Sequence, residues 1–146
     1  MDPSQTYFAY GSNMSTIRLQ ERIPEAVPAG RAQWPGMRLV FNKVAADGSG
    51  KANLVADASS IAWGVLFTIP EPHFATLDEF EPGYRRTGCT LALDDGREVC
   101  SQVYLARPPF SETPPHDWYR EHLLRGALEH ALPEDVVQLI RTLQLG

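Results

Sequence analysis

The chain has 146 residues, 43% of them hydrophobic and 21% charged, enough apolar material for a single globular domain, residues 1–146, with a real core. Its net charge of −5 comes with no run of Lys or Arg, which argues against nucleic acid and anionic membranes as partners. Met1-Asp2-Pro3-Ser4-Gln5 lacks the basic and apolar parts of a signal peptide, and no apolar stretch reaches the ~18 residues of a membrane span, so a cytoplasmic protein is expected.

Thr6 to Tyr10 reads as a short apolar strand that stops at the turn signal Gly11-Ser12-Asn13, after which Ser15 is placed to cap a helix over Thr16 to Ile23, closed by Pro24. Met37 to Phe41, Leu54 to Ala58 and Ile61 to Thr68 follow as strands, the last apolar enough to lie centrally. At Pro70 the period changes: Phe74, Leu77 and Phe80 recur every three residues, predicting a helix to Phe80. Tyr84 to Leu93 and Glu98 to Ala106 flank Asp95-Gly96, a hairpin signal. The Pro-rich piece Arg107 to Pro115 is a loop. Two helices close the chain: Asp117 to Ala131, with Trp118, Leu124, Ala127, Leu128 and Ala131 expected on its buried face, and a second one from Pro133 with Val136, Val137, Ile140 and Leu143 inward. Strands before helices predict an α+β fold whose mixed sheet curls into a barrel-like form with flanking helices. Cys89 and Cys100 are expected to be reduced core residues rather than a disulfide.

Two segments concentrate chemistry. In Tyr7-Phe8-Ala9-Tyr10-Gly11-Ser12-Asn13 a strand ends at a glycine just before a helix. Such a junction lets a ligand oxygen approach backbone amides, which favour a carboxylate or an oxyanion. Taken alone, it is equally an ordinary turn capped by Ser12 or Asn13. In Leu77-Asp78-Glu79-Phe80-Glu81-Pro82-Gly83-Tyr84 three acids crowd a helix C-terminus, where the dipole disfavours them and raises their pKa. Pro82 forces the preceding residue out of the α region and so gives Glu81 a bearing of its own. A solvated acidic helix end, paired with Arg85 or Arg86, is the plain alternative. His73, His116, His122 and His130 share no ligand spacing, so neither a metal nor another cofactor is expected.

The YFAYGSN run, the LDEFE segment and the later Pro114-Pro115-His116-Asp117-Trp118-Tyr119 together resemble the gamma-glutamylcyclotransferase family, from Tyr7 to about Gly126. The resemblance implies an α+β fold around a barrel-like sheet. It implies that the loop Tyr7, Phe8, Ala9, Tyr10, Gly11, Ser12 and Asn13 holds a γ-glutamyl group, with backbone groups of Tyr7 to Ser12 making the contacts. It makes Glu81 the catalytic acid/base and Tyr119 a substrate contact. Some members of the family form dimers, so a homodimer is among the assemblies it allows. One departure stands out: the family usually places glycine directly after the catalytic glutamate, whereas here Pro82 precedes Gly83. Ser12 and Asn13 favour the branch acting on γ-glutamyl amino acids.

The implied reaction converts a γ-glutamyl amino acid or amine into 5-oxoproline and a free amine. The substrate's own α-amine is the nucleophile, so the enzyme needs a proton carrier and an oxyanion donor, the latter expected at the Gly11 and Ser12 amides. Two rival readings share this fold. One is a relative removing a γ-glutamyl cap from a specialised biosynthetic amine. The other is a non-catalytic small-molecule-binding or interaction module, against which the presence of both Glu81 and the intact loop argues.

Overall fold

In the computed structural model, which describes residues 5–146, five strands close into a mixed barrel in the order β1-β3-β2-β4-β5. The signal-peptide reading of the first residues falls on 1–4 and lies outside the described residues. The strands are β1 (Thr6–Ala9), β2 (Val27–Val44), β3 (Gly50–Thr68), β4 (Tyr84–Ala92) and β5 (Glu98–Ala106); the helices are α1 (Thr16–Arg22), α2 (Phe74–Phe80), α3 (Asp117–Glu129) and α4 (Glu134–Arg141). All ladders are antiparallel except β1 with β5, where Tyr7 faces Gln102. The α+β barrel expected from the element order is therefore present. Among the described residues no helix is long and apolar enough to cross a membrane.

β1, α1, α2 and the hairpin lie close to their expected places. β2 and β3 are far longer than expected, at 18 and 19 residues. The expected strand Met37 to Phe41 is only the middle of β2, because Pro28, Gly30, Pro35 and Gly36 punctuate the rest. The structure places these residues at breaks in register, between Pro28 and Arg31 and between Pro35 and Met37, where proline's missing N–H costs no ladder bond. The two strands expected over Leu54 to Ala58 and Ile61 to Thr68 are one strand. Between them Asp57–Ser60 bulges out opposite Gly36, its turn held by the Asp57 carboxylate accepting bonds from Ser59 and Ser60.

The core gathers Phe8, Leu66, Phe67, Phe74, Leu77, Leu91 and Val103 around the barrel interior. Close approach of backbones is what holds the functional segments. Gly64 on β3 leaves room for the Phe8 ring and the Ala9 carbonyl, which an added Cβ would meet at 2.7 and 2.4 Å. Gly126 on α3 rests against the Ser12–Met14 3-10 turn, where a Cβ would lie 2.5 Å from the Met14 carbonyl carbon.

That glycine corrects the expected face of α3. Tyr119, Leu123, Gly126 and Ala127 point inward, while Trp118, Leu128 and Ala131, all expected inside, are exposed. Only Gly126 lets the helix lie flat on the turn, so α3 rotates to present it. In α4 Val137 and Ile140 are buried as expected. The cysteines are both free, but only Cys89 is buried. Cys89 pairs in register with Ser101 and Cys100 with Thr90, one step apart, which sends the two thiols to opposite faces of the sheet.

Candidate active site

The loop after β1, α1, the C-terminal end of α2 and the end of the β2–β3 hairpin enclose a cavity of about 280 Å³. Tyr7, Tyr10, Gly11, Ser12, Asn13, Glu81 and Tyr119 all line it. Phe8 and Ala9 do not. Phe8 is fully buried in the core, and the backbones of both residues run in the ladder with Leu66 and Val65.

Glu81 leaves α2 as its C-cap, with φ −120° and ψ 55°, outside the α region as its place before Pro82 requires. The inserted proline makes a defined turn. Tyr84 N–H donates to the Glu81 carbonyl, Pro82 takes the second position and Gly83, at φ +83°, the third, the arrangement of a type II turn. Arg107 N–H donates to the Gly83 carbonyl, so the loop after β5 clamps this turn. Asp78 and Glu79 go elsewhere. Asp78 accepts from the Tyr104 hydroxyl and from Arg86, the ion pair expected there, while Glu79 is exposed and among the described residues forms none.

The Glu81 carboxyl accepts from Asn13 Nδ2 at 3.1 Å and faces Arg22 Nη1 at 3.7 Å. Asn13 Nδ2 also donates to the Tyr7 hydroxyl at 3.1 Å, so one amide group links loop, strand and acid. Burial pushes the Glu81 carboxyl up to about 7, against the pull of Arg22, Arg18 and Asn13. The helix end and neighbouring carboxylates, expected to raise it, are not the main cause: desolvation is.

Gly11 borders Tyr119 as well as the cavity. A Cβ here would come 3.1 Å from the Tyr119 hydroxyl and 3.3 Å from Ala52 Cβ, so its bareness admits the tyrosine against the loop. The Tyr119 oxygen accepts from Ala52 N–H at 3.1 Å and from the Ser12 backbone, while burial pushes its pKa up to about 12. The Ser12 amide, one of the expected oxyanion donors, is thus engaged by Tyr119. With two N–H groups on its oxygen, the Tyr119 hydroxyl proton is the donor left to turn into the cavity.

Several lining residues carried no signal in the chain. Tyr84 donates to the Ala52 carbonyl and Tyr104 packs edge-on against Tyr7, so all five tyrosines of the chain line this one cavity. Four cations, Arg18, Arg22, Lys43 and Lys51, share its wall, and among the described residues Glu81 is the only carboxylate there. Arg18 and Arg22, one helical turn apart directly after the loop, could have been found from their spacing on α1. Among the described residues no cluster of three or more His, Cys, Asp or Glu could hold a metal ion.

Residues 7–121 match the family described as Gamma-glutamyl cyclotransferase, AIG2-like. The gamma-glutamylcyclotransferase of Mus musculus is 26% identical over 149 residues, spanning 94% of this chain and 78% of the mouse protein. That of Homo sapiens is 26% identical over 152 residues, spanning 98% and 80%. A solved structure of a gamma-glutamyl cyclotransferase superposes with a TM-score of 0.90 at 26% identity, covering 97% of this chain and 89% of that one. The matched stretch takes in the loop after β1, Glu81 and Tyr119, and the chain belongs to the gamma-glutamyl cyclotransferase, AIG2-like family.

Proposed function

We propose that this protein is a gamma-glutamylcyclotransferase, which cyclises the γ-glutamyl group of a small substrate to 5-oxoproline and releases an amine. The observation that carries the reading is Glu81: a largely covered carboxyl, its side chain 17% exposed, among the described residues the only carboxylate in a cation-lined cavity, with a pKa raised to about 7. A group titrating there is ionised often enough to accept a proton and protonated often enough to return one.

In this scheme the γ-glutamyl chain lies against Gly11–Asn13 with its ammonium at Glu81. The ionised carboxyl takes a proton from the ammonium. The freed amine attacks the γ-carbonyl carbon, a C–N bond forms, and the carbonyl electrons move onto oxygen. Tyr119 donates to that oxyanion, a type of contact often worth about 3 kcal/mol. Glu81 then protonates the leaving nitrogen as its bond to carbon breaks. The ring nitrogen sheds a second proton, the amine departs as an ammonium, and Glu81 ends ionised as it began. Holding a flexible chain in its ring-forming pose lowers the barrier further.

Incubation of the purified protein with a panel of γ-glutamyl amino acids and amines, with 5-oxoproline followed by mass spectrometry, tests the reading. Release of 5-oxoproline that depends on Glu81 supports it; no product from any member of the panel overturns it.

A further inference from the structure

The buried lining of the cavity is polar: Ser12, Asn13 and the Tyr7 and Tyr119 phenols lie there, with the Glu81 carboxyl bonded to Asn13. Its exposed lining is the reverse. Among the described residues four lining residues are exposed, Val44, Ala46, Phe80 and Pro82, and each is apolar. Val44 and Phe80 are 44% and 45% exposed. Single apolar side chains are ordinary on a protein surface, but four that share one opening, with no exposed polar residue in the lining, make an apolar mouth. Two segments held side by side build it. Val44 and Ala46 come from the end of the β2–β3 hairpin, and Phe80 and Pro82 flank Glu81 where the chain leaves α2. Lys43 ties the segments together: its stem passes so close to Gly83 that an added Cβ would stand 2.6 Å from Cε, and its Nζ donates to the Arg107 carbonyl at 3.0 Å. The Arg22 guanidinium, 5.3 Å from the Phe80 ring centroid, holds that ring at the edge of the opening.

We propose that this mouth receives an apolar chain carried by the departing amine, with Val44 and Phe80 as the residues that set the specificity. The proposal rests on the cyclotransferase reading and deepens it. Polarity decides which half of the substrate reaches the mouth. The γ-glutamyl half carries an ammonium, whose proton goes to Glu81, and a carboxylate, and setting either charge against four apolar side chains would strip it of water without giving it a partner. That half belongs with the polar buried lining. The leaving amine lies across the scissile bond and is the only half free to be apolar. A branched aliphatic chain seated there covers Val44 and Phe80 surface that is otherwise wet, and the gain grows with the area covered. The selection concerns that chain and holds whether or not the amine also bears a carboxylate.

Two pairs of substrates test this, one with a carboxylate on the leaving group and one without: γ-glutamylleucine against γ-glutamylasparagine, and γ-glutamylisobutylamide against γ-glutamylglycinamide. Members of a pair have nearly the same shape, an isopropyl group in one standing where the other has a carboxamide. In whichever pair it turns over, the wild-type protein should favour the apolar member in kcat/KM by about tenfold or more, chiefly through KM. Val44→Thr combined with Ala46→Ser keeps the shape of the mouth and makes it polar. That variant and Phe80→Ala should each cut the ratio several-fold, whereas Val44→Ile should keep it. The ratio is the readout because Phe80 also holds Arg22, whose loss would slow both members alike. A wild-type protein that turns over γ-glutamyl compounds without this preference overturns the assignment alone, as do variants that leave the ratio unmoved. Variants that leave it unmoved but sediment differently from wild type overturn it in favour of a contact between copies of the chain. A wild-type protein that forms 5-oxoproline from no γ-glutamyl compound overturns the underlying reading instead.

Discussion

Replacing Glu81 by Gln should destroy catalysis and stabilise the protein at the same time. The folded protein holds the Glu81 proton more tightly than an unfolded chain does, with a pKa of about 7 against an ordinary 4.5. Stability from this group is therefore full below pH 4.5 and declines as the pH rises towards 7, above which the whole cost of a buried carboxylate is present. At about 1.4 kcal/mol per pH unit the difference amounts to about 3 kcal/mol. Glutamine keeps the shape and never ionises, so the variant should melt roughly 10 °C higher than wild type at pH 8.5 and within a degree or two of it near pH 4.5. Over the same range its kcat should be lower by two to four orders of magnitude, the usual range for a lost general acid/base. Wild-type kcat/KM should fall about tenfold per pH unit below 7, as the base form of Glu81 is lost. Glu79→Gln, altering an exposed helix residue, should change rate only a few-fold. Thermal melts from pH 4.5 to 8.5 beside initial rates settle the matter. Parallel melting curves would mean that Glu81 is not held in its acid form, and near-normal turnover by Glu81→Gln would mean that it carries no proton in the reaction.

Arg22→Met should move the acid limb of the kcat/KM profile to higher pH, because the variant removes a cation that favours ionised Glu81; an unmoved or lowered limb would contradict the 3.7 Å pairing as an electrostatic control. Gly126→Ala should cost about 2–4 kcal/mol in chemical denaturation and reduce activity, since its methyl meets the Met14 backbone and pushes α3 off the loop. A neutral result there would show that the helix does not brace the turn.

What the chain disclosed about itself follows from how local each signal is. Glu81 was legible because Pro82, its immediate neighbour, dictates the helix exit, and the loop was legible as one contiguous run. β1, α2 and the β4–β5 hairpin were legible for the same reason, through short-range periodicity and a turn dipeptide. β2 was not, because prolines and glycines that read as breakers sit at bulges, and a bulge is a property of two strands together. The buried face of α3 was misread because large apolar residues outweighed a glycine, whose value appears only once the Met14 backbone lies against it. Lys51, Tyr84 and Tyr104 come from three different strands and converge on the cavity only when the barrel closes. The cause of the Glu81 shift was misjudged likewise, since helix-end charge can be read from neighbours in the chain and desolvation cannot.

The five cavity tyrosines make the fold sensitive to alkali. Burial raises the pKa of every one of them, so the native protein keeps all five phenols neutral well past pH 10, where free tyrosine ionises. The unfolded chain has no such restraint. Between pH 10 and 12 each tyrosine withdraws about 1.4 kcal/mol of stability per pH unit, and five acting together withdraw about 7 kcal/mol per unit. A reserve of ordinary size is exhausted within one or two pH units. Tyrosinate absorbance should therefore be nearly silent up to a threshold above pH 10 and then emerge in a single cooperative step as the barrel opens.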